Sequence, residues 1–209
     1  EGILEGEVII QEKIDGANSS IWIDKKKHGE ATVHTFRLGS RNNQVEDFRG
    51  LRTYVEKHQG IKDLLIECPH YRLFGEWLVP HSLKTYREDA LRKFYVFDVS
   101  IDKEESEILH EGDDNNKYLH YDEYSAKLEE KGIDYIVPIC TITNASYEQL
   151  VNQLMKNVFL IEDGKGVGEG IVIKNYDFIN KYNRQTWAKI VTSEFKEKHA
   201  KVHGATEIK

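Results

Sequence analysis

The chain has 209 residues, of which 39% are hydrophobic and 31% charged, and its formal net charge is −7. The length suits one large domain, and the acidic balance argues against a protein that coats nucleic acid by bulk electrostatic attraction. No apolar run is long enough to span a membrane and no signal peptide is apparent, so we expect no membrane association.

The first predicted elements form an antiparallel meander. Residues 8–14 are β-branched and apolar, as expected of a buried strand. Residues 19–24 alternate, with isoleucines on one face and Trp22 on the other, and residues 32–38 follow after a turn at residues 27–29. Further strands are predicted at residues 71–78, 94–101, 135–142, 170–175 and 186–191.

Three helices are predicted between these strands. The first follows from apolar positions that share one helical face, namely Val45, Phe48, Leu51, Tyr54 and Val55. The second spans residues 121–131 and ends at Gly132. The third begins with a capping box at Ser146 and Gln149, and its apolar stripe is interpreted as core packing. The stripe comprises Tyr147, Leu150, Val151, Leu154, Met155 and Val158.

Strands with interspersed helices predict the α+β class. The chain shows no internal repeat and no linker rich in Pro or Ser, so we expect one domain over residues 1–209. Residues 111–116 are predicted to be an exposed loop, and residues 192–209 a short C-terminal helical tail. Only two cysteines occur, Cys68 and Cys140, without metal-ligand spacing, which favours reduced thiols and a cytoplasmic location.

A lysine stands at the end of the first predicted strand, in the sequence EKIDGAN at residues 12–18. Gly16 has no side chain, so the backbone there can turn sharply or approach a ligand closely. The short sequence around Lys13 would also suit a salt-bridged lysine at a strand end. By itself it therefore assigns no function.

Five further segments with charged or aromatic residues follow in chain order. Each is explained alone by ordinary strand packing, but five in this order are hard to attribute to chance. They are FRLGSRN at residues 36–42, LFGEW at 73–77, FYVFDV at 94–99, EGIVIK at 169–174 and WAKIV at 187–191.

In these segments the chain resembles the covalent nucleotidyltransferase superfamily of ATP-dependent DNA ligases, RNA ligases and mRNA capping enzymes. Together with residues 12–18, these segments look like motifs I, III, IIIa, IV and V, in the superfamily's order. Glu12, the pair Ala17-Asn18 and the aromatic string at residues 94–98 favour the nick-sealing RNA ligase branch. The resemblance implies the α+β ligase adenylylation fold, with antiparallel sheets flanked by helices and an ATP pocket between the sheets.

The resemblance also implies a reaction. Lys13 attacks the α-phosphate of ATP and becomes linked to AMP, which passes to a 5′-phosphate end and is displaced by a 3′-hydroxyl. A free lysine is mostly protonated near neutral pH, so the site must favour the neutral amine. Lys174 and Lys189 can stabilise negative charge on the α-phosphate. We therefore expect Lys13, Lys174 and Lys189 to be the catalytic residues.

Further residues are expected to hold ATP and a divalent cation. Phe97 would stack on the adenine, Glu12 would lie near it, and Arg37 is a weaker alternative to Arg41 for the phosphate or ribose. Asp15, Glu76 and Glu169 would hold Mg²⁺ or Mn²⁺, directly or through water. The complete set of residues expected to contact the nucleotide is Glu12, Asp15, Gly16, Asn18, Arg41, Glu76, Phe97, Lys174 and Lys189.

Two positions depart from the family pattern. Asp15 stands where some RNA ligases carry His, and Val191 stands where motif V usually has a second lysine. The alternatives are therefore a DNA ligase, a GTP-using capping enzyme, or a nucleotide- or RNA-binding module that has lost catalysis.

The expected partner is RNA, either a nicked RNA duplex or an RNA/DNA hybrid, and the protein is expected to be a monomer. The tail at residues 192–209 carries Lys196, Lys198 and Lys201 but is too short for a second core. We therefore expect this chain to charge itself with AMP better than it seals nicks.

Overall fold

The computed structural model describes residues 2–28, 31–80, 85–102, 116–193 and 196. The chain forms two compact units, each built around an antiparallel sheet. The first unit comprises Glu1–Gly16, Pro80–Arg92 and Ile136–Lys209, and the second comprises Ala17–Val79 and Lys93–Tyr135.

The strands and helices lie as follows in the chain. The strands are β1 Glu7–Lys13, β2 Ala17–His28, β3 Ala31–Ser40, β4 Gln44–Val45, β5 Arg72–Leu78, β6 Lys93–Asp102, β7 Asn116–Tyr118, β8 Pro138–Thr143, β9 Gly170–Lys174 and β10 Ala188–Val191. The α-helices are α1 Leu51–Lys57, α2 Gln59–Glu67, α3 Tyr121–Glu130 and α4 Tyr147–Leu154, and Glu88–Ala90 is a short 3₁₀ turn.

The sheet of the first unit has the strand order β10-β9-β1-β8. β1 is an inner strand, which explains its nearly continuous run of apolar residues. One of its faces contributes Val8 and Ile10 to a core with Ile171, Ile173 and Leu150. The other face carries every second residue and ends at the motif I lysine.

The sheet of the second unit has the order β4-β3-β2-β5-β6-β7. Its core face includes Ile21 and Leu73, which pack with Leu51, Leu64 and Tyr124 of the first three helices. Because side chains alternate along a strand, the opposite face carries the polar and aromatic residues of β2 and β5. The α+β class, with antiparallel sheets and helices, is thus confirmed.

Local signals fix several helix ends where the sequence predicted them. The Ser146 side chain accepts a hydrogen bond from the Gln149 amide (3.2 Å), and the Gln149 side chain accepts one from the Ser146 amide (2.8 Å). This capping box begins α4 as predicted. α3 ends at Glu130, and Gly132 adopts a φ of +63°, which favours glycine.

The predicted first helix is wrong at its beginning. Val45 lies in β4, and α1 begins only at Leu51. Arg49 and Gly50 have positive φ values of 53° and 85°, which no helix accommodates. The Asp47 carboxylate accepts hydrogen bonds from the Gly50 and Arg52 amides and so fixes this turn. Helix α2 was not predicted; at its beginning the His58 imidazole accepts a hydrogen bond from the Ile61 amide (3.2 Å).

The apolar stripe of α4 is only partly core. Leu150 is buried, but the helix ends at Leu154, and Tyr147, Met155 and Val158 are 68%, 68% and 49% exposed. Interpreting the whole stripe as core packing was therefore wrong, because a helix this short directs only one narrow face inward. The strand predicted at residues 135–142 begins at Pro138, and the one predicted at 186–191 begins at Ala188.

Some predicted features fall outside the described residues. These are Gly29 in the turn at residues 27–29, most of the loop at 111–116, and most of the tail at 192–209, including Lys198 and Lys201. Within the tail, the Lys196 amide donates a hydrogen bond to the Thr192 carbonyl (3.2 Å). Among the described helices, none combines the length and apolarity needed to cross a membrane.

Candidate active site

The motif I lysine forms an ion pair in the first unit. Lys13 is the last residue of β1 and lies opposite Gly170, the first residue of β9. Its Nζ contacts the Glu169 carboxylate, one residue before that strand. The Lys13 side chain is 24% exposed and that of Glu169 is 9% exposed. The antiparallel register therefore brings a partly accessible amine and a nearly buried carboxylate together at one end of the paired strands β1 and β9.

Several charges act on Glu169. Burial raises the pKa of its carboxyl, and this effect outweighs the ion pair with Lys13, which lowers the pKa. Asp15 raises the pKa further through like-charge repulsion, and Lys189 lowers it. Charges of motifs I and V thus act electrostatically on the motif IV carboxylate.

The three lysines expected to be catalytic share one face of the sheet in the first unit. Lys13 lies opposite Gly170, and Lys189 lies opposite Val172, two residues further along β9. Lys174 follows after two more residues on the same strand. Residues directly opposite each other point to the same face, and each two-residue step covers about 6.8 Å. The register therefore places the three lysines on one face, on three neighbouring strands and at three successive levels.

Lys174 differs from the other two lysines in its surroundings. Its side chain is 1% exposed, and its Nζ lies 5.4 Å from the centroid of the Trp187 ring. A cation over an indole ring is stabilised by the quadrupole of the ring. Gly170 lies opposite Lys13, and Lys174 is four residues further along β9, a distance of about 13 Å.

Residues that the sequence analysis did not identify hold the backbone around Lys13. The Asn157 side chain is buried and donates hydrogen bonds to the carbonyls of Lys13 (3.1 Å) and Gly170 (2.5 Å). A Cβ atom at Gly168 would overlap this amide, so glycine leaves the space that Asn157 fills. Asn157 lies beyond α4 in a segment without a local motif, so nothing in the sequence pointed to it.

A second missed residue fixes the turn that follows the lysine. The Asp15 amide donates a hydrogen bond to the Tyr86 hydroxyl (2.7 Å), which belongs to the same unit. Ile14 is buried beside it, whereas Asp15 and Gly16 are half-buried. The motif I turn is therefore attached to the rest of the first unit on both sides of Ile14.

Glu12 lies on the opposite face of β1 from Lys13. Its carboxylate accepts a hydrogen bond from the Phe159 amide (3.2 Å). Burial raises the pKa of Glu12, while hydrogen bonds from the Phe159 and Val158 amides act against that increase. A half-buried carboxyl group with a raised pKa can accept or donate a hydrogen bond according to pH.

The second unit carries the remaining expected nucleotide contacts. Asn18 and Glu76 are directly opposite each other on β2 and β5, on the face away from the core. Phe97 is half-buried on β6, and its carbonyl accepts a hydrogen bond from the Tyr124 hydroxyl (2.9 Å). Arg41 is exposed just after β3.

The two arginines considered for the same role differ in their partners. The Arg37 guanidinium forms an ion pair with Asp24 (2.8 Å) on the neighbouring strand. Among the residues that the structure describes, no carboxylate pairs with Arg41. Since Arg37 is already neutralised, this difference favours Arg41 as the residue available to an anion.

The described part of the chain contains no group of three or more His, Cys, Asp or Glu residues placed to hold a metal ion. A magnesium site does not require such a cage, because Mg²⁺ is often bound by one or two carboxylates together with water and substrate phosphates. Glu169 and the neighbouring Asp15 form a donor set of that kind.

Comparison with known proteins identifies relatives of the fold. The structure is similar to a Naegleria gruberi RNA ligase with PPi, with a TM-score of 0.64 and 16% identity over 95% of this chain and 53% of that one. A mutant of that ligase with AMP and Mn gives 0.64 and 14%, covering 94% and 53%. An archaeal ATP-dependent RNA ligase gives 0.58 and 15%, covering 92% and 44%.

The chain spans about half the length of these ligases. At such low identity, the likeness shows a shared fold. No curated protein sequence matches the chain significantly. A family comparison matches residues 6–191 to the RNA ligase family. Because that match covers most of the chain and includes every motif described above, this protein belongs to the RNA ligase family.

Proposed function

We propose that this chain catalyses the adenylylation half of an ATP-dependent RNA ligase reaction, with Lys13 as the residue that carries AMP. The observation that carries the proposal is the contact between the Lys13 amine and Glu169 at one end of the paired strands β1 and β9. Lys189 and Lys174 lie on the same face of that sheet and add positive charge.

The proposed step forms one bond and breaks one. The neutral Lys13 amine attacks the α-phosphorus of ATP, a nitrogen–phosphorus bond forms, and the bond to the bridging oxygen of pyrophosphate breaks. The amine loses its proton, which the Glu169 carboxylate contacting Nζ is placed to accept.

The same face of the sheet supplies stabilising charge. As pyrophosphate departs, negative charge on the phosphate oxygens increases, and Lys189 offers a positive charge that is already in position. Lys174 adds a positive charge on the same face of the sheet, although its contact with Trp187 restrains it. Such prepositioned charges stabilise the transition state without the cost of reorganising water.

We propose that Asp15 and Glu169 hold the divalent cation. Support comes from the structurally similar Naegleria gruberi RNA ligase mutant, whose structure is described with AMP and Mn. The two carboxylates lie close enough for the charge of Asp15 to raise the pKa of Glu169, which is the arrangement that a cation would relieve. When bound, the cation would offset charge on the phosphates. Glu76, in the second unit, stays a prediction as a third ligand.

We further propose that the AMP passes from Lys13 to a 5′-phosphorylated RNA end. A 3′-hydroxyl then attacks that 5′-phosphate, and AMP leaves. Membership of the RNA ligase family supports this assignment. The nucleotide contacts assigned to Asn18, Arg41, Glu76 and Phe97, the monomeric state and the cytoplasmic location stay predictions.

The test is self-labelling with ATP that carries a radioactive α-phosphate, in the presence of Mg²⁺ or Mn²⁺. We expect acid-labile label on the wild-type protein and none on Lys13→Ala. Lys13→Arg should also fail, because a guanidinium stays protonated. The matched control is Lys156→Ala, an exposed lysine of the same unit, which should label normally.

Labelling of Lys13→Ala at the wild-type rate would place the nucleophile elsewhere and refute the proposal. Labelling from α-labelled GTP in preference to ATP would identify a capping-type activity. Sealing of RNA–RNA, RNA–DNA and DNA–DNA nicks by one preparation then distinguishes an RNA ligase from a DNA ligase.

A further inference from the structure

An arginine is stacked between aromatic rings on the second unit's sheet, on the face away from the core. The Cζ atom of Arg72 lies 4.0 Å from the centroid of the Trp22 ring and 5.3 Å from that of Phe74. One guanidinium nitrogen, Nη2, donates a hydrogen bond to the Ser20 hydroxyl (3.1 Å). The guanidinium is therefore held in one orientation by two rings and a buried hydroxyl.

The surrounding backbone reserves space for this arrangement. Gly39 lies directly opposite Ser20 on β3. A Cβ atom at Gly39 would lie 2.5 Å from the Ser20 hydroxyl oxygen, 3.2 Å from the Trp22 ring and 3.3 Å from Arg72 Nη2. Any side chain at this position would displace Ser20 or Arg72, so the stack depends on glycine here.

The charge of Arg72 has no counterion among the residues that the structure describes. Arg37, on the same face, is paired with Asp24, whereas no ion pair involves Arg72. The Nε atom of Arg72 is buried and has no hydrogen-bond partner in the described part of the chain. Burial lowers the pKa of this guanidinium, but arginine keeps its charge at physiological pH. A half-buried cation without a counterion and with an unused hydrogen-bond donor lowers the stability of the fold unless an anion binds to it.

The register of the sheet relates this cation to the expected nucleotide contacts in the same unit. Glu76, Phe74 and Arg72 follow one another at two-residue spacing on β5 and therefore share a face. Arg72 thus lies about 13 Å along the strand from Glu76. A single side-chain contact does not bridge that distance, but a polynucleotide presents a phosphate at every nucleotide and can occupy both positions.

We propose that Arg72, held by Trp22, Phe74 and Ser20, binds a backbone phosphate of the RNA strand at a position removed from the reacting end. Planar guanidinium groups bind phosphate through paired hydrogen bonds, and stacking on an aromatic ring orients them beforehand. The combination of arginine and aromatic rings is typical of surfaces that bind single-stranded nucleic acid. This inference rests on the proposed ligase function, because it assumes an RNA substrate.

The shared chemistry is a phosphate anion, and ATP is the other possible source. The experiment therefore measures two quantities separately for the wild type, Arg72→Gln and Arg72→Lys. The first is binding of a 5′-phosphorylated RNA oligonucleotide, followed by fluorescence anisotropy over a series of salt concentrations. The second is the KM for ATP in self-adenylylation. Lys57→Gln, which removes one exposed charge from the same unit, is the matched control.

We expect Arg72→Gln to weaken RNA binding by about tenfold and to reduce the salt slope by about one, as for loss of one phosphate contact. The KM for ATP should stay within about twofold of the wild-type value, as should every measurement on Lys57→Gln. Arg72→Lys should fall between, because it keeps the charge but loses the planar fork.

Two outcomes would overturn the proposal. One is RNA binding by Arg72→Gln equal to that of Lys57→Gln, which would make the stack purely structural. The other is a raised KM for ATP with unchanged RNA binding, which would assign Arg72 to the triphosphate. If Arg72→Gln unfolds, the proposal is tested instead by the change in Trp22 fluorescence when the wild-type protein is saturated with RNA. The Trp22→Phe variant gives the emission of the other tryptophans, which is subtracted. No change of Trp22 emission on saturation with RNA would also refute the proposal. Because RNA binding needs no adenylate, this test fails independently of the Lys13 labelling test.

Discussion

Replacement of Asn157 by alanine tests whether one buried amide positions Lys13, the proposed nucleophile. Asn157 is 3% exposed, and its side-chain nitrogen donates to the carbonyls of Lys13 and Gly170, the last residue pair of the β1–β9 ladder. Asn157→Ala leaves both carbonyls without that donor. A buried group without a partner costs about 1–3 kcal/mol, so two of them predict a loss of about 2–6 kcal/mol.

The loss should be local to the strands that meet at the lysine. We expect amides of β1 and β9 to exchange with deuterium faster in Asn157→Ala, because the final pair of the ladder opens more often. Self-adenylylation should slow by at least about tenfold, since small errors in the placement of a nucleophile are costly. The KM for ATP should change less than the rate does.

The matched control is Asn152→Ala, which removes an exposed asparagine from α4 of the same unit. Exposed substitutions usually change stability by less than about 0.5 kcal/mol. If Asn157→Ala matches this control in chemical denaturation, hydrogen exchange and labelling rate, water replaces the amide without loss. The argument that Asn157 positions Lys13 would then be wrong.

Two further predictions concern single side chains. Phe97→Leu should weaken the use of ATP, and its melting temperature should stay within a few degrees of the wild-type value because Phe97 is half-buried. Phe94→Leu, at a fully buried position, should instead lower the melting temperature and leave the use of ATP normal. Reversal of these two effects would make Phe97 a core residue. Burial raises the pKa of Glu169, so its folded carboxyl keeps a proton at a pH where the unfolded chain has lost it, and ionisation lowers stability as pH rises through the folded pKa. Because only the ionised carboxylate can accept the proton of Lys13, the labelling rate should fall on the acid side at a pH above 4.5. Glu169→Gln should remove this pH dependence and slow labelling by at least about tenfold. The exposed Glu162→Gln variant should behave as the wild type. An unchanged profile in Glu169→Gln would exclude this carboxylate as the titrating group.

The order of short motifs was enough to identify the family. Lys13 at the end of an apolar strand, Glu76 after a glycine and the strand from Glu169 to Lys174 are local patterns, and a family comparison over residues 6–191 confirms the resemblance. Local signals also predicted the capping box at Ser146 and the end of α3 at Gly132. These features depend on neighbouring residues alone, so the sequence contains all the information that they require.

Local patterns failed where a distant contact or an unusual backbone angle decided the outcome. The apolar spacing from Val45 to Val55 fits a helix, but the left-handed residues Arg49 and Gly50 prevent a helix before Leu51. The stripe from Tyr147 to Val158 also has helical spacing, yet the helix ends at Leu154 and leaves part of the stripe exposed. Hydrophobic periodicity indicates which face can be buried, and tertiary packing determines how much of it is.

The sequence by itself determined which residues of this protein have the chemistry that the proposed adenylylation needs, and the tertiary structure decided which of them meet. Lys13 and Glu169 are 156 positions apart, and only the antiparallel register of β1 and β9 brings the amine to the carboxylate. The same register aligns Lys189 on their face, while the partners of Asn157 and Arg72 follow from packing that has no local signature. Strand pairing joins residues without regard to their separation in sequence, and a pairing shift of one residue would turn each side chain to the opposite face.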